Sequence, residues 1–379
     1  MKTFSGKPQM LKEVNSSMIE QLVFEKGPLS KPELAKLTGL SLPTISKQVD
    51  DLERNARLSP VGRTGKGAGR KAMRYETNRN SGCLLACYYK EGHFLCRLAD
   101  MLNNTLYEKK FPLDSSNSKR AVNSTFHAID AMMEQAPAQV KIIGIGLPGV
   151  VQPGGKLLGI PQIAVWEGFN LEKALSARYK TIIYVENGVK ISAMGYFCTH
   201  LREKQDNIVY LYVGNGIGSG IILNKQLYRG SGNFSGEIAF MAEPSCISER
   251  NYANDGGYME SLTSPLVDYA TGELRKRDNP VQRKKLIDIL SAMVINHVVL
   301  VNPGVVVLSG KIFDRNFIEA MRQRMSYYLP AEVIPRITLD VSETTGLEGL
   351  IESCHGFITT GIHLVQSTGL PERTSGKAM

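Results

Sequence analysis

Long apolar runs are missing from this chain of 379 residues. The best stretch, residues 292–301, is broken by Asn296 and His297, and it falls well short of the roughly 18 apolar residues that a membrane-spanning helix needs. Cysteine pairs are also missing: the six cysteines, Cys83, Cys87, Cys96, Cys198, Cys246 and Cys354, form no C-x-x-C, so neither a disulfide framework nor a zinc ribbon is indicated. Buried free thiols are expected instead. The opening residues, "MKTFSGKPQMLKEVN", lack the apolar centre of a signal peptide, and a cytoplasmic protein with no membrane association is expected. Gly-x-x-x-x-Gly-Lys-Ser/Thr, the phosphate loop of many nucleotide hydrolases, does not occur. What remains is the composition of an ordinary globular protein, 42% hydrophobic and 21% charged, long enough for two or three domains with their own cores.

Charge is unevenly placed. Residues 1–80 hold 15 of the 45 Lys and Arg but only 8 of the 36 Asp and Glu. Nearly all of the net charge of +9 therefore sits at one end, the mark of a nucleic-acid-binding module joined to a near-neutral body. Leu11, Val14, Met18 and Leu22 repeat at helical spacing, and "KGP" closes that helix. Ser30 with Glu33 reads as a capping box, with Gly39 as the left-handed stop. Ser41 can cap a third helix whose apolar face is Ile45, Val49 and Leu52. Its other face carries Thr44, Lys47 and Gln48, suited to phosphates and base edges, while Asp50, Asp51 and Glu53 direct its amino-terminal half toward DNA. Next comes "VGRTGKGAGRKAMRYETN", where Arg63, Lys66, Gly67, Gly69 and Arg70 form a basic, glycine-rich wing before a strand at residues 72–76. A helical docking module with a solvated basic loop is the alternative, but three helices, a wing and the charge asymmetry together favour a winged helix-turn-helix on double-stranded DNA.

The body alternates strands and helices from Ser81 onward, in the order of two α/β lobes facing a cleft. "CLLACYY" and "HFLCRLAD" flank a Lys90-Glu91-Gly92 turn, and "TLYEKKF" supplies a third strand. A helix near residues 121–135 and the strands "KIIGIGLP" and "TIIYVEN" follow. The second series runs from "NIVYLYVG" through a glycine-rich turn to a helix over residues 283–301 and "GVVVLSG". Gly214, Gly216, Gly218 and Gly220 lie at every second position between two strands. That pattern admits either close approach of a phosphate-bearing ligand or a tight structural turn.

The segments "IGIGLPGVV", "VWEGFNLEKAL", "VENG", "VGNGIGSGII", "LYRGSGNFSGEI" and "VVVLSGKIF", in this order behind a winged helix, resemble the ROK family (repressors, open reading frames, kinases), in particular its NagC/XylR-type transcriptional repressors. The resemblance extends over nearly the whole chain. It implies two ribonuclease H-like lobes of the sugar kinase/actin type, sensing a sugar or sugar phosphate. The domains are then a winged helix-turn-helix at 1–78, a first lobe at 81–195 with a helix at 347–366 packing back on it, and a second lobe at 196–346 for effector binding and dimerisation.

Carried over residue by residue, the resemblance also shows what has gone. The family's Asp-x-Gly-Gly-Thr phosphate loop falls on "YYKEGH", with Lys90 and Glu91 in place of the glycine pair and Tyr88 or a neighbour in place of the carboxylate. The family's catalytic aspartate falls on Gly188, so general-base help of about 10²- to 10⁴-fold is lost and no catalytic residue remains. Asn187, Glu237 and Glu260 align with sugar-contacting positions, whereas the zinc-binding histidine falls on Phe240 and its cysteine cluster is reduced to Cys246. One thiol makes no tetrahedral site, so no metal and no other cofactor are expected. Each retained residue has a plainer reading: Glu186 and Asn187 as a helix cap, Glu237 as a partner of loop amides, Glu260 as a solvated side chain, Trp166 as core. The sequence is thus read as a transcriptional repressor of carbohydrate metabolism with a catalytically dead body, acting as a homodimer or homotetramer on a DNA operator. A sugar kinase and a DNA-binding scaffold without any effector are the alternatives.

Overall fold

A computed structural model describes residues 8–64, 72–243, 256–275 and 279–360. Three helices come first: α1 (Pro8–Lys26), α2 (Lys31–Thr38) and α3 (Leu42–Arg54). At the start of α2 the Ser30 amide donates to the Glu33 carboxylate at 2.7 Å while the Glu33 amide reaches back to Ser30 Oγ, and Gly39 ends the helix at φ 71. Strands β1 (Leu58–Thr64) and β2 (Ala72–Thr77) pair antiparallel behind them. Ile19, Val23, Leu34, Ile45, Val49, Leu52, Leu58 and Tyr75 form their common core. The apolar stripe expected on α1 is corrected here: Leu11 and Val14 are exposed, and Ile19 and Val23 make the buried contacts.

Two five-stranded sheets follow, with one order of strands used twice. In the first, β3 (Cys83–Lys90), β4 (His93–Asp100) and β5 (Thr105–Pro112) form an antiparallel meander. On the other side of β3 lie β6 (Val140–Leu147) and β7 (Ile182–Asn187), both parallel to it, with α4 (Ser118–Met133) and α5 (Leu171–Arg178) in the connections. The β3–β4 turn needs positive φ at two successive residues, which Glu91 at 48 and Gly92 at 77 provide. After α6 (Gly188–Tyr196), the second sheet repeats the plan. Strand β8 (Ile208–Val213) is antiparallel to β9 (Ile217–Leu223), which is paired in turn with Gln226–Leu227. Beyond α7 (Tyr258–Thr263) and α8 (Pro280–Val301), strands β10 (Val305–Ser309) and β11 (Arg336–Asp340) join β8 in parallel, with α9 (Arg315–Ser326) between them. Parallel strands are buried on both faces, which is why β6 and β10 are nearly unbroken apolar runs.

The last helix, α10 (Thr345–Thr360), covers the inner face of the first sheet, where Leu347, Leu350, Ile351 and Cys354 pack on Leu84, Ala86 and Ile142. Helix α6 covers the inner face of the second sheet with Ala193, Tyr196 and Phe197 against Ile208, Tyr210, Ile222 and Val305. The two helices meet backbone to backbone. A Cβ on Gly195 would stand 2.0 Å from the Thr345 carbonyl, and one on Gly349 would stand 2.0 Å from the Ile191 carbonyl. The alternating glycines of β9 serve the same contact from the other side: a Cβ on Gly220 would lie 2.4 Å from Ala193 Cβ, and one on Gly218 would lie 3.3 Å from Val189. Neither a phosphate-bearing ligand nor a tight turn, the two readings of that pattern, accounts for Gly218 and Gly220; close packing of α6 does. Among the described residues no helix is long and apolar enough to cross a membrane.

Candidate functional site

The exposed end of the three-helix unit is the amino terminus of α3. Ser41 caps it, accepting from the Thr44 amide at 3.3 Å and sharing a 2.8 Å hydrogen bond with Thr44 Oγ1. Lys47, one turn on, is exposed and has no ion-pair partner among the described residues. The acids behind it are neutralised within the unit, Asp50 by Lys31 at 2.5 Å and Asp51 by Lys12 at 2.6 Å, so the face carries less negative field than its sequence implies. Lys12 holds the Asp51 carboxyl below the usual range. Gln48 is a correction. It is 5% exposed and accepts from Ser16 Oγ at 2.6 Å, because i+3 from Ile45 places it on the side of α3 that meets α1. Arg63 lies next to the end of β1, opposite Met73; Lys66, Gly67, Gly69 and Arg70 lie outside the described residues.

The second candidate is the cleft at the carboxyl ends of β6 and β7, where α6 begins. Asn187 caps α6: its Oδ1 accepts from the Lys190 amide at 3.0 Å and its Nδ2 donates to the Gly149 carbonyl at 2.7 Å. Asn187 is therefore the helix cap that the plainer reading anticipated, and one hydrogen and one lone pair of its amide are left for a ligand. Behind it, buried Glu186 accepts from Arg229 Nε at 2.6 Å, and Arg229 Nη2 donates to Tyr184 Oη at 3.0 Å. Burial opposes the guanidinium charge, but Tyr184 and Glu186 more than offset it, so Arg229 is held charged; burial in turn pushes the Tyr184 phenol up. Glu237 faces Lys190 with Nζ and Oε1 3.6 Å apart, and Glu260 is near enough for Glu237 to add to its charge repulsion. Burial first and Glu237 second push the Glu260 carboxyl up to about 7. Burial likewise raises Glu237, against the pull of Lys190. The structure thus brings Asn187, Glu237 and Glu260 to one place. Sequence reasoning missed Lys190, Arg229 and Tyr184; a lysine inside the first turn of an otherwise apolar helix was the available signal.

Gly188 presents no carboxylate to this cleft, and Tyr88 stands beside it. The Tyr88 ring occupies the space between three glycines: a Cβ on Gly146, Gly188 or Gly346 would lie 2.7, 3.4 or 2.3 Å from it. Its hydroxyl is 3.1 Å from Ser192 Oγ, and burial raises its pKa. Lys90 and Glu91, on the turn just beyond, reach Glu343 at 4.0 Å and Lys311 at 3.9 Å, so two surface ion pairs bridge the lobes there. Phe240 packs on Phe234 with ring centroids 5.3 Å apart, Trp166 is fully buried in the first lobe's core, and Cys246 lies outside the described residues.

Comparison with known proteins bears out the family resemblance. Residues 92–246 match the sequence model of the ROK family. The xylose repressor of Bacillus subtilis is 26% identical over 264 residues, covering 66% of this chain and 68% of the repressor. A ROK family transcriptional regulator described as a homolog of the E. coli MLC protein superposes with a TM-score of 0.73 at 19% identity, over 92% of this chain and 99% of that one. A ROK hexokinase from Thermus thermophilus superposes with a TM-score of 0.60 at 18% identity, over 74% of this chain and 99% of the hexokinase. The fold is that of the two-lobed sugar kinases with a winged helix in front.

Proposed function

We propose that this ROK family chain is a DNA-binding transcriptional regulator of carbohydrate metabolism, a repressor whose kinase-like body binds a ligand without phosphorylating it. The carrying observation is the amino terminus of α3, where Ser41, Thr44 and Lys47 stand free of the core, with Arg63, Lys66, Gly67, Gly69 and Arg70 supplying a basic, glycine-rich stretch further along the sequence. Residues 1–78 dock on one operator half-site, and a homodimer or homotetramer in the cytoplasm joins two such units at fixed spacing. The body, 81–195 and 196–346, holds a sugar at Asn187, Glu237 and Glu260. Phosphoryl transfer needs a base on the substrate hydroxyl and room for the phosphates. Gly188 gives no base, and the Tyr88 ring takes up space next to it. A ligand that binds the two lobes differently shifts their relative placement and so the spacing of the winged helices. The relatives named as repressors support this reading, and the hexokinase-like fold alone does not argue against it. The test is a fluorescence titration of genomic fragments recovered by footprinting. Removal of residues 1–78 abolishes binding, and binding that survived the deletion with the same salt dependence would refute the proposal.

A further inference from the structure

Lys190 is the third residue of α6 and only 1% exposed. Both facts are unfavourable for a cation. The helix amino terminus repels positive charge, and a lysine is almost never fully buried unless paired. Its ammonium donates to the Asn233 carbonyl and lies 3.6 Å from Glu237 Oε1. These partners belong to a strap, residues 228–237, that leaves the second sheet after Gln226–Leu227. The strap is tied to the first lobe twice more, by Arg229 on Glu186 at 2.6 Å and by Asn233 Nδ2 on the Val151 carbonyl at 2.8 Å. Lys190 therefore sits beneath a closed strap, with its charge on the carboxylate that the cleft offers to a ligand.

We propose that Lys190 is a specificity-determining residue of the cleft, a resident cation that a ligand must displace from Glu237, lifting the strap, before it hydrogen-bonds there. This rests on the reading of the cleft as an effector site. Two mutually repelling carboxylates, Glu237 and Glu260, await donors once the ammonium moves, and Arg229 is already committed to Glu186. The ligand that fits is an uncharged, hydroxyl-rich one; a phosphate ester would set its charge against both carboxylates. The strap's three ties are subtracted from the affinity of every ligand, and opening them couples occupancy to the position of the second lobe.

The test titrates full-length wild type and Lys190→Gln calorimetrically with D-glucose, D-xylose and N-acetyl-D-glucosamine, with glucose 6-phosphate as the anionic arm. Lys190→Gln binds at least one free sugar about tenfold more tightly than wild type, and neither protein binds the phosphate ester. Equal or weaker binding by the variant overturns the proposal and leaves the effector reading standing, as does tighter binding of the ester than of its parent sugar. Binding of no sugar by either protein overturns the effector reading and the latch with it. Should Lys190→Gln not fold, amide exchange in wild type decides: saturating sugar accelerates exchange over residues 228–237 if the strap lifts, and slowed or unchanged exchange refutes the latch.

Discussion

Replacing Glu20 by glutamine should change stability with a sign that depends on pH. Glu20 lies on α1 at the seam with the body, 7% exposed, with Arg57 2.5 Å from Oε1 and no partner for buried Oε2. Burial raises its carboxyl from 4.5 to about 7, despite the pull of Arg57. Across the same seam His355 of α10 stacks on Phe24 with ring centroids 3.7 Å apart, and burial, aided by the Arg202 charge, pushes the imidazole down to about 4. Each displacement corresponds to about 3 kcal/mol between protonation states.

The two act in opposite directions. An acid with a raised folded pKa is penalised in its charged form, so the penalty is absent below 4.5 and grows until pH passes about 7. A base with a lowered folded pKa costs stability as pH falls from 6.5 through about 4. Between these limits the two slopes largely cancel while the summed cost stays nearly constant, and above pH 7 the Glu20 penalty stands alone. Glu20→Gln should therefore stabilise the protein by up to about 3 kcal/mol at pH 8 and by almost nothing at pH 4.5, where glutamate is already neutral. The variant should also show the uncompensated His355 slope, gaining stability steadily from pH 4 to 6.5. Urea midpoints at a series of pH values measure both effects. Equal destabilisation by Glu20→Gln at pH 5 and pH 8 would mean that the Arg57 ion pair outweighs burial, and the reasoning would fail.

Three further outcomes are expected. Gly349→Ala forces a methyl to within 2.0 Å of the Ile191 carbonyl and should cost about 3 kcal/mol or more, whereas an unchanged urea midpoint would show that α6 and α10 are not in backbone contact. Lys47→Ala should weaken operator binding and lower the salt slope by roughly 0.9, while Gln48→Ala should leave that slope alone and cost about 1 kcal/mol of stability through its hydrogen bond with Ser16. Gly188→Asp should show no ATP-dependent phosphorylation of glucose in a coupled assay, because the Tyr88 ring still lies 3.4 Å from that position; measurable turnover would refute the assignment of Tyr88.

What could be read in the sequence was whatever depends on local chemistry. The Ser30–Glu33 cap, the Gly39 stop, the Glu91-Gly92 turn and the apolar runs of β6 and β10 each declare themselves within a few residues, and each stands where it was expected. Gln48 and the stripe on α1 were misread because helical periodicity gives the existence of a face but not which neighbour covers it. The cleft was legible only as a set of aligned positions. Nothing local in "VENGVK" says that the lysine side chain folds back under a strap more than forty residues away in sequence, and nothing near Arg229 says that its partner is Glu186.

The glycine-rich segment changes most when sequence and structure are taken together. Glycine in a strand weakens it unless another backbone approaches closely, and here the approaching backbone is α6, not a nucleotide. The hairpin holds α6 from one side and Gly349 of α10 holds it from the other, at distances that leave no room for a methyl group on either. A helix clamped in this way cannot slide past its neighbours one rotamer at a time, so a displacement at its first turn, where Asn187 and Lys190 face the cleft, is shared with α10 as a rigid body. The far end of α10 carries His355 onto Phe24 of α1, whose opposite face holds α3 through Ile19 and the Ser16–Gln48 hydrogen bond. Cleft and α3 are thus joined by three helices in direct contact. Glu20, buried at the seam of α1 with the body, one oxygen unpaired, is a cost that this seam carries without tightening it.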